Sequence, residues 1–286
     1  MNKLAKQITA SLLAAALLPL TGCSGKQQEE TASGGSPETA APTAAATVQS
    51  TSDTQRVLLI SLTDYQIPDV LTTQRNDRQA DFMMLITVDA DSEKASAIQI
   101  DPCLPVDFQP QGAGTAETMP LGEIFTYGSG GSDSNLSLLT AISKLMDNVK
   151  IDHYITFDSD AVSIAADMLG GVTVDVTDSF PEEYTQLSKG GSVCLNGDSA
   201  DVYFNYTAPD ETDNSSHMRR QRDFIKASYA PFAANSAQEE FVTQLFMKMG
   251  EKMDTDLTLS QAIKMMETLR EYELDDDIRV VAEGDT

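Results

Sequence analysis

The chain has 286 residues, of which 44 are acidic and 19 are Lys or Arg, for a formal charge of −25 at pH 7 with histidine neutral. A body this acidic repels nucleic acid and anionic lipid, and no basic stripe or helix-turn-helix pattern argues for a DNA-reading element. Three cysteines and two histidines, without metal-ligand spacing, argue against a zinc site.

Lys3 and Lys6 make a positive start, and the stretch from Ile8 to Leu20 is apolar and uncharged. That run is about a dozen residues, short of the roughly 20 that a spanning helix needs, so it reads as a signal segment. Leu20-Thr21-Gly22-Cys23 then fits a lipobox. Residues 1–22 are expected to be removed, and Cys23 to be diacylated as the new N-terminus. Each buried methylene contributes about 0.8 kcal/mol, so two chains hold a protein at the outer face of the cell membrane. Residues 24–54 are dominated by Gly, Ser, Thr, Ala, Pro, Gln and Glu, with one valine and no aromatic residue. Such a segment cannot bury a core, so 23–54 reads as a lipidated tether and 55–286 as the extracytoplasmic domain. Without Lys3 and Lys6, 17 basic residues face 44 acidic ones, a charge of −27. The acidity reads as a solvated surface.

Within the domain, residues 56–62 (RVLLISL) form an apolar run that predicts a buried strand. Residues 81–89 and 94–100 predict two more, joined by a polar turn at 90–93. Leu138, Leu139, Ile142, Leu145 and Met146 share a face at helical spacing, which predicts a helix over 135–146. A strand is expected at 152–158, then a helix at 160–169 stopped by Gly170-Gly171, where a left-handed cap costs little. Residues 172–176 (VTVDV) alternate as a strand. Helices are expected at 218–229, 239–253 and 260–271. Interleaved strands and helices predict a helix-covered sheet. The apolar run 161–169 and the Met83-Met84 pair are explained equally well as core or as the lining of a lipid tunnel. Cys103 and Cys194 lie in a compartment that permits a disulfide, with their proximity open.

Three stretches carry a resemblance to a family. The first is Asp81 to Asp89 (DFMMLITVD), running on to Ile98-Gln99-Ile100. The second is Ile151-Asp152-His153-Tyr154-Ile155, running on to Asp167-Met168-Leu169-Gly170-Gly171-Val172-Thr173-Val174. The third is Leu195-Asn196-Gly197-Asp198 with Ala200, followed by Met218-Arg219-Arg220-Gln221-Arg222. Leu121 and Tyr127-Gly128 add to it. In this order they resemble the LytR-CpsA-Psr family of cell-envelope proteins over nearly all of 55–223.

The resemblance implies an α/β fold, an αβα sandwich with a central mixed β-sheet covered by helices. It also implies a reaction: moving a glycan from a polyprenyl-pyrophosphate carrier onto peptidoglycan through a phosphodiester. Carboxylates would hold Mg²⁺, and arginines would neutralise the phosphate charge. Carried over residue by residue, the metal positions are Asp64 and Asp81. Arg220, Gln221 and His217 fall on the catalytic positions and Asn205 on a substrate-binding one, while Arg78 is the neighbour of another, held by Gln79, for which a one-residue shift would let it substitute.

This chain departs from the pattern. Gln79, Pro102, Asn205, Thr207 and His217 stand where the family has arginine, and Cys103 stands where it has aspartate. Losing one fully engaged donor of this kind costs about 2.7–4 kcal/mol of transition-state stabilisation. Three readings follow: a catalytically weakened or non-catalytic binder of the lipid-linked glycan, an active Mg²⁺-dependent phosphotransferase, or a lipid-anchored scaffold or solute-binding protein. Arg219 and Arg222 read as surface charges sharing one helix face, with Arg220 pointing elsewhere.

Overall fold

The computed structural model describes residues 54–66, 75–110, 114–208, 214–275 and 277–282, all within the unit spanning 49–286. The expected signal segment, Cys23 and the tether up to residue 53 lie outside the described residues, and Thr54 belongs to the first strand rather than to the tether. No helix among the described residues is long and apolar enough to cross a membrane.

In chain order, β1 (Thr54–Asp64), β2 (Arg78–Asp89) and β3 (Lys94–Ile100) open the domain. A hairpin of β4 (Pro105–Phe108) and β5 (Glu117–Pro120) leads to a 3-10 turn, Leu121–Thr126, and to α1 (Ser132–Leu145). Next come β6 (His153–Asp158), α2 (Asp160–Met168) and a second hairpin, β7 (Val172–Val176) with β8 (Gly191–Leu195). The rest is helical with short strands: α3 (Gly197–Asn205), α4 (Ser215–Asn235), α5 (Glu239–Met249), β9 (Met253–Thr255), α6 (Leu259–Glu271), β10 (Glu273–Leu274) and β11 (Arg279–Val281).

The main sheet has seven strands, ordered β10-β3-β2-β1-β6-β9, with β11 also on the outer edge of β3. β1–β2, β2–β3 and β6–β9 are antiparallel, whereas β1–β6 and the two pairings on β3 are parallel. The sheet is therefore mixed. Period-two alternation splits its side chains between two layers. Leu58, Ile60, Met83, Leu85 and Ile100 pack with Leu138 and Ile142 of α1 and with the 3-10 turn. Phe82, Met84 and Ala97 pack on the other face with α2, α3 and α4. Val57, Val88 and Ala95 meet Leu257 and α6 through Met265 and Leu269. This is the expected αβα sandwich.

Local chemistry sets several boundaries. Gly171 has φ +102° and an added Cβ would overlap Cys194 Sγ, so the turn between α2 and β7 needs glycine there. Thr258 caps α6 by accepting from Gln261 N at 3.3 Å, and Gln261 Oε1 in return accepts from Thr258 N at 3.0 Å. The expected helix over 239–253 ends instead at Met249, because Lys252 O accepts from Asp158 N and draws the chain into β9. α4 outruns its expected span at both ends and continues through Pro231, which forfeits one helical hydrogen bond. Met83 and Met84 are both fully buried core, on opposite faces of β2. Cys103 and Cys194 are exposed free thiols.

Leu58 is fully buried at the centre of the α1 layer. Leu58→Ala is expected to cost about 2–5 kcal/mol, the range for a buried leucine whose cavity does not collapse. Urea denaturation checks it.

Candidate functional site

The site begins at an irregularity in the sheet. Register between β1 and β2 pairs Ser61 with Phe82 but Leu62 with Ala80, so Asp81 is an extra residue at a β-bulge. A regular strand would put Asp81 on the face of Met83 and Leu85, against the α1 layer. The bulge turns it to the opposite face, where α4 lies.

There Asp81 meets two side chains one helical turn apart. His217 Nε2 is 3.5 Å from Asp81 Oδ2, and Gln221 Nε2 donates to the same oxygen at 3.4 Å. His217 Nε2 also lies 2.9 Å from Phe204 O. A carbonyl only accepts, so Nε2 carries the proton, and the 3.0 Å approach of Gln221 Nε2 to it brings together two donors facing one carboxylate oxygen. Gln221 Oε1 accepts from Gln99 Nε2 at 3.3 Å, and Gln99 Oε1 accepts from Arg222 Nη1 at 2.8 Å. Burial raises the pKa of Asp81, while the nearby His217 and the Gln221 amide oppose that rise.

Asp81→Asn keeps the shape and an acceptor oxygen but removes the charge that burial penalises. A carboxyl whose folded pKa is raised lends stability at low pH and loses it as pH rises through that pKa. The unliganded variant is therefore expected to melt above wild type near neutral pH, with the gap closing in acid. Thermal melts across that range check it.

The other expected site residues are dispersed. Asp64, at the end of β1, has a side chain 98% exposed, 3.7 Å from Arg78 Nε. Arg78 Nη2 donates to Asp158 Oδ1 at 2.7 Å. Asn205 bonds within its own helix, donating to Asp201 Oδ1 at 2.7 Å. Arg220 is 2% exposed. It donates to Asp178 Oδ2 at 2.6 Å, to Tyr203 O at 3.2 Å and to Tyr206 O. Arg219 reaches the other oxygen of Asp178. The facing expected of these arginines is thus corrected: Arg219 and Arg220 converge on one carboxylate, and Arg222 is a half-buried donor to the sheet. A guanidinium reaches across adjacent helix faces when a carboxylate with two oxygens sits between them.

Sequence reasoning missed Arg75, which donates to Thr126 Oγ1 at 2.8 Å and sits 4.5 Å from the Tyr127 ring centre. It also missed Gln99, whose polar side chain in an otherwise apolar strand is a readable signal. Partial burial, with Asp101 and Asp81 nearby, holds the Cys103 thiol above its ordinary range.

Among the described residues no group of three or more His, Cys, Asp or Glu side chains is placed to hold a metal. Mg²⁺ is satisfied by one or two carboxylates with phosphate oxygens and water; Asp81 is of that kind, whereas the exposed Asp64 is set against Arg78 rather than against Asp81.

Beside the site lies an apolar cavity of about 250 Å³ between the sheet and α2, α4, α5 and α6. Leu59, Ile86, Phe204, Phe224, Phe246 and Met265 are among its walls. Ala161, Val162, Ala165 and Leu169 line it too, so part of the 161–169 run faces open space rather than core alone. Phe204 joins the two features: it is among the residues lining the cavity, and its carbonyl lies on His217.

Fold and site together define an αβα protein with a carboxylate at a sheet bulge and an apolar cavity next to it. The chain belongs to the LytR_cpsA_psr family, whose model matches residues 21–281. It is 24% identical over 184 residues to the polyisoprenyl-teichoic acid–peptidoglycan teichoic acid transferase TagU of Halalkalibacterium halodurans, covering 63% of this chain and 56% of that one. It is 22% identical over 219 residues to the corresponding enzyme TagV of Bacillus subtilis, covering 74% and 52%. The chain thus spans about half the length of these curated relatives. The crystal structure of B. subtilis TagV superposes with a TM-score of 0.62 at 18% identity, over 80% of this chain and 84% of that one. A structure of TagT bound to LI-WTA gives 0.55 at 17% identity, over 80% and 78%.

Proposed function

We propose that this chain is a lipid-anchored protein of the cell envelope that holds a polyprenyl-pyrophosphate-carried glycan and transfers it to peptidoglycan weakly or not at all. The observation that carries this reading is the apolar cavity joined through Phe204 to the Asp81–His217–Gln221 cluster. The cavity offers apolar walls to a prenyl chain, and each methylene buried there contributes about 0.8 kcal/mol. Asp81, with the Gln221 amide and His217 beside it, would lie at the pyrophosphate end of such a ligand. Asp81 would hold Mg²⁺ together with phosphate oxygens and water, and the ion when bound neutralises phosphate charge. Cys23 would supply the anchor.

Weak transfer follows from the cations. Arg75, Arg78, Arg219 and Arg220 each already engage a carboxylate: Glu123, Asp158 and, for the last two, Asp178. The family's other arginine positions hold Gln79, Pro102, Asn205, Thr207 and His217. A clamp for charge developing on phosphate oxygens needs donors aimed at those oxygens, and these guanidiniums are aimed elsewhere. The persistence of Asp64, Asp81 and Gln221 favours a second reading, an active Mg²⁺-dependent phosphotransferase.

Melting the chain with polyprenyl pyrophosphates of increasing length, with and without Mg²⁺, tests the proposal. At about 100 times the dissociation constant, ligand should stabilise the fold by about 2.7 kcal/mol, and at a fixed concentration the stabilisation should rise with prenyl length. No stabilisation at any length would remove the lipid-binding reading. Stabilisation with rapid hydrolysis would promote the active transferase.

A further inference from the structure

The hydrogen bonds that run from Arg222 through Gln99 to Gln221 involve two residues to which the family pattern assigns no role. We infer that Arg222 and Gln99 are positioning residues, which from outside the site aim the Gln221 N–H at Asp81 Oδ2.

The direction of this chain is fixed by chemistry at both ends. An arginine only donates, so Gln99 must present Oε1 to Arg222 Nη1, 2.8 Å away. Gln99 Nε2 is then turned to Gln221 Oε1 at 3.3 Å, which leaves Gln221 Nε2 to donate to Asp81 at 3.4 Å. In its ionised form Asp81 only accepts, which agrees with the same order. Neither amide can flip without setting two donors or two acceptors against each other.

Burial makes the arrangement specific. Gln99 is 1% exposed and Gln221 is fully buried. Gln99 pairs with Met84 across the sheet and shares its face with Ala97. Plain packing there is met by an apolar side chain, and an amide without partners would cost free energy. The relay satisfies both amides and keeps the Gln221 N–H turned to Asp81 Oδ2.

The test labels the glutamine side chains of the full chain with ¹⁵N. It compares wild type with Arg222→Met, Gln99→Met and Arg222→Lys. Methionine keeps much of each stem and removes the relay, whereas lysine, like arginine, only donates. The Gln221 amide signal is expected to move upfield and exchange faster with water in both methionine variants, and to return in Arg222→Lys. The two methionine variants break the relay at different points, so misfolding of one leaves the other as the test. An unmoved Gln221 signal in either folded methionine variant overturns the inference. The inference rests on the proposed Asp81 site, but the signal is read without lipid, so its failure and a failure of lipid binding are separate results.

Discussion

Arg220→Ala is expected to destabilise the domain by about 3–5 kcal/mol, the range for removing one partner of a buried ion pair. The guanidinium is 2% exposed and ties α4 to Asp178 and to two carbonyls at the end of α3, those of Tyr203 and Tyr206. It also sits 5.7 Å from the Phe180 ring centre, inside the packing of the loop that follows β7. Removing it leaves two carbonyls and one oxygen of the largely buried Asp178 without this donor. Arg219 shares Asp178 but its side chain is 32% exposed, so Arg219→Ala should cost less than about 1 kcal/mol. Urea denaturation of both variants separates a structural Arg220 from one held for phosphate. A stable, normally folded Arg220→Ala protein would return Arg220 to the substrate-binding role.

Ala165→Phe is expected to abolish lipid binding while the unliganded fold keeps its stability. Ala165 lies on α2 and lines the apolar cavity, so a phenyl group placed there occupies the space a prenyl chain would take. Filling an open apolar cavity adds dispersion contacts and strains little, unlike overpacking a dense core. The stabilisation of about 2.7 kcal/mol expected with saturating polyprenyl pyrophosphate should fall to near zero. Melting curves with and without the lipid give both quantities. A variant that binds lipid as wild type does would place the chain outside this cavity.

The sequence was most legible where side chains alternate between two packed layers. The expected spans of β3 and β7 agree residue for residue with the structure, because each strand is bracketed by turn residues. The short edge strands β9, β10 and β11 have two or three residues each, too few for a period to show. α3 went unread because nine residues carry only one repeat of helical spacing, at Ala200, Tyr203 and Phe204.

The site was harder to read, for a geometric reason. Asp81 was visible as the acid opening a strand, but the bulge that turns it toward α4 leaves no mark in composition or period. His217 and Gln221 stand four apart on a helix, so their shared face was open to inference, whereas Gln99 needed the tertiary fold to reach them. The 161–169 run is as apolar whether it faces core or cavity, and only the packing of α5 and α6 separates the two. The arginines misled because sequence shows charge without showing its partner, and here the partners are Asp158 and Asp178.

The central claim is that this chain holds a polyprenyl-linked pyrophosphate without turning it over efficiently. The most direct measurement incubates the full chain with labelled polyprenyl-pyrophosphate-linked glycan and Mg²⁺, and counts bound lipid and released polyprenyl phosphate in the same sample. The account predicts saturable binding, with release far below the 1–10³ s⁻¹ typical of enzymes, at roughly the rate of the protein-free control. Turnover within that range would contradict it from one side, and an absence of saturable binding from the other.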